Sequence, residues 1–447
     1  MRINAPRRVS NGTFRLSKAR RCGFAGYRVN EKKSLWPVTS LAVLTGLNLL
    51  DYLDRTILGS VLPPLREELH LSYEQAGTIG TAFMLGYFLT SPIFGYLGDR
   101  MPRRWLIAAG VLVWSFGTLM SGHASAYVSL LCFRVLVGFG EASFGTISPG
   151  WIADLFPPGR RNNAITVFYF AIPVGSAIGY LFGGWMAVHY GWRAAFLGAG
   201  YPGLVLAGPL FFLREPPRGA SDATPAASAD LRPAGWRVYG TLLKFPRYVV
   251  LVAGYTAQTF AMGGFQLWAP SFLVEVHHMK LDTAAFFFSA SLAASGLVAT
   301  LAGGFTATRW QRKTGVGYAW ILALSALTTA PMAFLAFTLT SLTAAKVALV
   351  LTMFLMFLST GPVNTLILET VPASMRASSM AASIFTIHLF GDLWSPKVVG
   401  HLADRWGNLQ RAVVWTLPGA LIVGALLWTC LVIWTKRDLS RTRAVES

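Results

Sequence analysis

The sequence predicts an all-α membrane protein, with twelve transmembrane helices in two pseudo-symmetric six-helix bundles. Three observations carry that prediction. Apolar segments of roughly 20 residues, the length that crosses a bilayer as a helix, recur from Trp36 to Trp434. Basic residues crowd alternate connections between these segments, and the two halves of the chain repeat each other's loop motifs. Composition agrees, since 13% of the residues are charged where a soluble domain carries about a quarter, and mean hydropathy is +0.50.

In chain order the spans fall at 37–61, 74–97, 105–121, 127–149, 162–187, 194–213, 248–274, 281–306, 316–338, 343–367, 377–399 and 412–434. Residues 1–35 precede them as a basic tail whose only acid is Glu31. Arg100, Arg103 and Arg104 follow span two, Arg160 and Arg161 span four, and Arg309, Arg312 and Lys313 span eight. Lys436, Arg437, Arg441 and Arg443 close the chain, while the opposite loops, such as REELH and GHAS, are mixed or neutral. Positive-inside bias then places both termini in the cytoplasm, and a bacterial inner membrane is the expected location. The net charge of +19 would suggest nucleic acid in a soluble protein. Here it reads as topology and contact with anionic membrane lipids, so no nucleic-acid partner is expected. The tail is either a disordered cytoplasmic extension or the product of a start codon placed too far upstream. Cys22, Cys132 and Cys430 imply no disulfide framework, and the Asn11-Gly12-Thr13 sequon lies on the cytoplasmic side.

The long polar stretch 214–247 separates the bundle 36–213 from the bundle 248–434, and 435–447 forms a C-terminal tail. Its centre, GASDATPAASADLRPAG, is linker-like, and WRVYGTLLKF after it has the mixture of an interfacial helix. GYLGDRMPRR, after span two, aligns with GFTATRWQRK, after span eight, so that the glycine, the arginine and the basic pair coincide while Thr308 replaces Asp99. DLFPPGRRNNA likewise matches ETVPASMRASS. Repeated halves around a central loop are the plan of a secondary transporter that rocks about a midplane site.

The loop G-x-L-x-D-R-x-x-R-R resembles the cytoplasmic motif of the major facilitator superfamily, and the resemblance covers nearly all the chain beyond the tail. It implies that Asp99 and Arg103 latch the halves in the outward-open state, with Gly95 allowing close helix approach. Asp404-Arg405 has the same dipeptide but follows span eleven on the outer side, so no latch role is expected for it. NLLDYLDR, GFGEASFGTISP, IADLF, FYFAIPVGSAIGY, REPPRG and HLFGDLWSP resemble stretches of the spinster family more narrowly. That family includes carriers of lysophospholipids and of sphingosine-1-phosphate, several of them thought to be proton-coupled. Asp51 departs from the pattern, standing where asparagine is expected in the animal proteins.

Five ionisable residues lie inside spans of the first half: Asp51, Asp54 and Arg55 on span one, Arg134 and Glu141 on span four. Each costs about 2.5–3.5 kcal/mol at a helix centre, so such residues face a cavity or pair with one another. Asp54 and Arg134 both lie about 10 Å below the outer surface on the 1.5 Å rise, which makes an ion pair between them reasonable. Glu141 lies about two turns deeper than Arg134 on the same face. Deepest and furthest from an arginine on that estimate, it is the first candidate for the moving proton, with Asp54 the second. Arg55 and Arg134 have the geometry for a phosphate or carboxylate headgroup. A purely structural ion-pair network is the competing reading. Gly138 and Gly140 would let neighbouring backbones approach span four.

The second half offers His388 and Asp392, i and i+4 on span eleven, as a polar pair or second proton path. Gln258, Gln266 and Asn364 are candidates for the opposite wall of a cavity, and Phe83, Phe168, Tyr169, Phe260 and Trp268 for an apolar tunnel. The leading expectation is a proton-coupled carrier of a lysolipid-like amphiphile, its head held by the charged half. A carrier of a small organic anion such as a sugar acid is the alternative, and a non-transporting receptor on the same fold a third. No nucleotide loop, metal-spaced cluster or nucleophile–base arrangement is present, so neither enzymatic activity nor a cofactor or metal is expected. A monomer is expected.

Overall fold

A computed structural model describes residues 35–98, 100–217, 220, 237–372 and 375–446. The basic tail with Cys22, the loop acid Asp99 and the centre of the linker lie outside these residues. The first six spans are single helices: α1 (Trp36–Leu69), α2 (Tyr73–Gly98), α3 (Arg103–Gly122), α4 (Tyr127–Leu155), α5 (Pro158–Tyr190) and α6 (Trp192–Phe212). A short helix, α7 (Arg237–Leu242), stands where the interfacial segment is predicted and buries Val238 and Leu242. Spans seven to nine are α8 (Pro246–Glu275), α9 (Leu281–Thr314) and α10 (Gly317–Thr338). Nine helices among the described residues are long and apolar enough to cross a membrane on length and composition alone. A helix also covers each of the other predicted spans.

Two late spans are interrupted, each a few residues before a proline. Span ten is α11 (Leu342–Phe357) followed by α12 (Thr360–Glu369). Pro362 has no N–H for the Leu358 carbonyl, which would otherwise be its i−4 acceptor. Gly303 of α9 packs directly on that carbonyl, where a Cβ would collide with it. Span eleven is α13 (Arg376–Ile387), a π-helical turn over His388–Asp392, and α14 (Ser395–Trp406). Pro396 cannot donate to the carbonyl of Asp392, and Leu393 N–H instead reaches back five residues to the His388 carbonyl at 3.2 Å. Span twelve is α15 (Leu409–Glu446).

The end bearing the arginine-rich loops is the basic end; the opposite one is the far end. Within the first half α1 packs mainly on α5, α2 on α4, and α3 on α4 and α6. Glycine allows the two closest crossings at α4. A Cβ at Gly138 would collide with the Phe83 carbonyl oxygen of α2, and one at Gly140 would lie 2.5 Å from that of Gly110 on α3. Gly95, expected to be a close-approach site, is in ordinary contact with Thr146 at 3.7 Å. The tight crossing of α2 and α4 is centred on Gly86 and Gly138 instead, about 13 Å along the helix from Gly95. Gly138→Val is expected to lower the unfolding midpoint in detergent, with a cost on the order of 1–3 kcal/mol, because backbone rather than a mobile side chain occupies the space. An unchanged midpoint would mean that α2 and α4 separate freely.

Among the described residues, polar contacts between the first six and last six spans concentrate at the far end. They include Arg66 with Glu275 at 2.7 Å and Tyr180 Oη to the Gln266 carbonyl at 2.7 Å. Thr81 and Ser289 donate across to the carbonyls of Leu393 and Ala177 at 2.7 and 2.6 Å. Toward the basic end, Phe88 on α2 meets Phe385 on α13, ring centroids 4.5 Å apart.

Candidate functional site

The five charges of α1 and α4, all buried but Arg55, form two adjoining groups. In the first, Arg134 Nη1 donates to Asp54 Oδ1 at 3.2 Å, as the depth estimate predicts. Thr118 of α3 donates its hydroxyl to the other oxygen of Asp54. Asp54 and Arg134 are both almost fully buried, so the pair requires each member to satisfy the other. In the second group, one guanidinium serves two carboxylates. Arg55 Nε donates to Asp51 Oδ1 at 3.0 Å and to Glu141 Oε2 at 2.8 Å, while Nη2 reaches Asp51 Oδ2 at 3.3 Å.

Glu141 is therefore not far from an arginine, and the expectation based on Cα depth is corrected. Side chains on a helix lean toward its N-terminus. The N-terminus of α1 is at the basic end, so Arg55 leans down; that of α4 is at the far end, so Glu141 leans up. Their tips converge across a depth difference that the helix rise alone makes too large. The second oxygen of Glu141, Oε1, is fully buried and accepts no hydrogen bond from the described residues.

Aromatic rings flank these groups. The guanidinium carbon of each arginine lies 5.3 Å from the Phe83 ring centroid, so Arg55 and Arg134 share that ring. Tyr52 and Tyr87 face Arg55, each at 4.8 Å. Thr118, Tyr52 and Tyr87 are absent from the sequence-based candidates. A lone threonine or tyrosine in an apolar span carries no pattern that marks it out. Arg55 is the member of the charge cluster left partly exposed, at 18% of its side-chain surface.

The remaining candidates are scattered. His388 Nδ1 and Asp392 Oδ2 pair at 2.9 Å on the π turn, both partly exposed. Phe168, Gln258 and Trp268, expected as walls of a cavity, are buried and engaged in packing. The Phe168 carbonyl accepts from Asn48 at 2.8 Å. Gln258 Nε2 donates to the Met356 carbonyl and to Ser359, both at 2.7 Å, filling the gap left by the break in span ten. Trp268 Nε1 donates to the Pro396 carbonyl at 3.0 Å and lies beside Tyr73, at the far end. Asn364 Nδ2 donates to the Thr360 carbonyl of its own helix at 2.9 Å. Phe260 and Gln266 are half-buried and Tyr169 is exposed. Arg103 pairs within its own half, its Nη1 2.6 Å from Asp154 Oδ2, and Glu215 accepts from its backbone N–H at 3.0 Å.

Repeated loop motifs and opposite charges buried between facing spans define a membrane transporter of the Major Facilitator Superfamily, whose family model matches residues 44–396. Within that superfamily the chain belongs to the spinster family. It is 35% identical over 415 residues to protein spinster homolog 1 of Bos taurus, covering 86% of this chain and 78% of that protein. It is 31% identical over 375 residues to protein spinster of Drosophila melanogaster, covering 82% and 62%. The solved structure of a bacterial homologue of the human lysosomal transporter spinster, inward-facing and unoccupied, superposes with a TM-score of 0.78 at 25% identity, covering 90% of this chain and 96% of that one. A D-xylose–proton symporter at 18% identity and a TM-score of 0.66 shares the fold.

Proposed function

We propose that the protein is a proton-coupled secondary transporter of a lysolipid-like anion, working by alternating access with its basic end in the cytoplasm of a bacterial inner membrane. The observation that carries the proposal is the charge count of the buried cluster. Asp51, Asp54 and Glu141 supply three carboxylates against the two guanidiniums of Arg55 and Arg134. One proton brings the set to neutrality, which is the natural condition of a group buried in a membrane. Glu141, fully buried with one oxygen that accepts no hydrogen bond from the described residues, is the seat assigned to that proton. Arg55, released from one acid when it is protonated, is the group assigned to an anionic head.

The wall from the second half supports an amphiphile over a sugar acid. Gln258 and Asn364, which a hydrophilic substrate would require, have their amides engaged by backbone and Ser359. The concentration of contacts between halves at the far end fits a state open toward the cytoplasm. Asp99 and Arg103 are assigned to the opposite state, and the Asp154 partner of Arg103 is the contact it keeps meanwhile. The testing experiment places purified protein in liposomes with an imposed pH gradient and offers lysophospholipids, sphingoid phosphates and sugar acids. Proton flux linked to a lysolipid is the expected result. Flux linked to sugar acids alone would overturn the substrate assignment, and no flux with any of them would overturn the coupling.

A further inference from the structure

The far end carries an acid to which the sequence gives no role. α2 starts at Tyr73, so its first backbone N–H groups have no partner within the helix. Ser72 and Gln75 meet part of this need locally, each donating a backbone N–H to the other's side chain, at 3.0 and 3.2 Å. The next two N–H groups, of Tyr73 and Glu74, are satisfied from the other half of the chain. Asp404, in the last turn of α14, accepts them with one oxygen each, at 2.8 and 2.7 Å. A carboxylate at a helix N-terminus is favoured by the helix dipole and by charge-assisted hydrogen bonds together.

Backbone packing beneath the carboxylate is equally specific. A Cβ at Gly400 of α14 would collide with the Tyr73 carbonyl, and one at Gly77 of α2 would collide with that of Pro396. One glycine from each helix therefore lets the two backbones touch. Glu74 answers from α2, its carboxylate 2.8 Å from His401 Nδ1 and 3.8 Å from Lys397 Nζ.

We propose that Asp404 is the far-end latch of the transport cycle. It caps α2 across the seam of Gly77 and Gly400 while the far end is shut, and it must release two backbone N–H groups before that end can open. Asp404 is a positioning residue, which sets the balance between states without touching the cargo. The proposal rests on the alternating-access reading of the fold. It gives the Asp404-Arg405 dipeptide a role that the sequence reading withheld from it.

The test is a pair of spin-label distances in lipid nanodiscs, measured in the full chain with Cys22, Cys132 and Cys430 replaced by serine. Labels at Ser125 and Thr340 report the far end; labels at Met101 and Lys313 report the basic end. In the parent the short far-end distance dominates. Asp404→Asn, which keeps the side chain's shape and removes its charge, is expected to raise the ratio of long to short far-end distances by about tenfold, as loss of charge-assisted hydrogen bonds implies. The basic-end distance shortens in step. Glu74→Gln, which leaves the α2 cap intact, is expected to shift the same ratio by less. A distribution unchanged by Asp404→Asn, in a parent that visits both states, overturns the latch alone. A parent fixed at one distance at both ends, with or without a pH gradient, overturns the alternating-access reading beneath it.

Discussion

Glu141→Gln is expected to abolish uptake driven by a proton gradient while leaving substrate exchange intact. Glutamine keeps the shape and still accepts the hydrogen bond from Arg55 Nε, but it cannot carry a proton. The cluster then holds two carboxylates, Asp51 and Asp54, against two guanidiniums, and is neutral without protonation. Such a variant resembles the proton-loaded carrier permanently. Counterflow, in which labelled substrate outside exchanges for unlabelled substrate inside, needs no net proton movement and continues. Accumulation against a gradient stops. Undiminished accumulation by the variant would move the proton to Asp51 or Asp54. That pattern separates a coupling residue from a structural one, since a merely structural loss depresses exchange and accumulation together.

The second large effect is on stability. Arg134→Met leaves Asp54 buried with the Thr118 hydroxyl as its one remaining side-chain partner among the described residues. Stranding one member of a buried pair costs about 3–5 kcal/mol. Adding Asp54→Asn to the same chain removes the uncompensated charge and is expected to recover most of the loss. The measurement is the unfolding midpoint of the two single variants and the double variant in one detergent. If Arg134→Met is as stable as the double variant, Asp54 does not depend on Arg134 for its charge. The same logic bears on Asp51. It shares Arg55 with Glu141 and is the third acid of the cluster, so Asp51→Asn would change the charge count by one.

Hydropathy and the placement of arginines and lysines made the helical plan legible, because burying a spanning helix in lipid constrains every residue along it. The Asp54–Arg134 pair was legible too, since two residues at equal depth on facing spans have few other places to go. The Arg55–Glu141 contact was hidden, because Cα depth ignores the lean of a long side chain toward its helix's start. Pro362 and Pro396 follow the interruptions in spans ten and eleven, but prolines also lie inside helices that stay continuous, such as Pro173 in α5 and Pro331 in α10. Hydropathy windows pass over prolines as well, because a missing N–H leaves a segment as apolar as before. Thr118, Tyr52 and Tyr87 could not be found by pattern, since their roles depend on which spans become neighbours. Asp404 was visible as a motif, but the helix end it would cap lies some 330 residues earlier in the chain.

The π turn at His388–Asp392 sits midway along span eleven, between the basic end and the α2–α14 seam. A π turn holds one residue more than the α-helix around it needs, so span eleven carries a spare residue in its winding. Were that residue taken back into α-helical register, every side chain beyond it would swing about 100° around the helix axis. Asp404 would then point away from the α2 N-terminus, and Gly400 would no longer face Tyr73. The His388–Asp392 pair lies on the very turn whose winding decides this. Such a rewinding would turn a change of partners at this pair into a rotation of α14 at the far end.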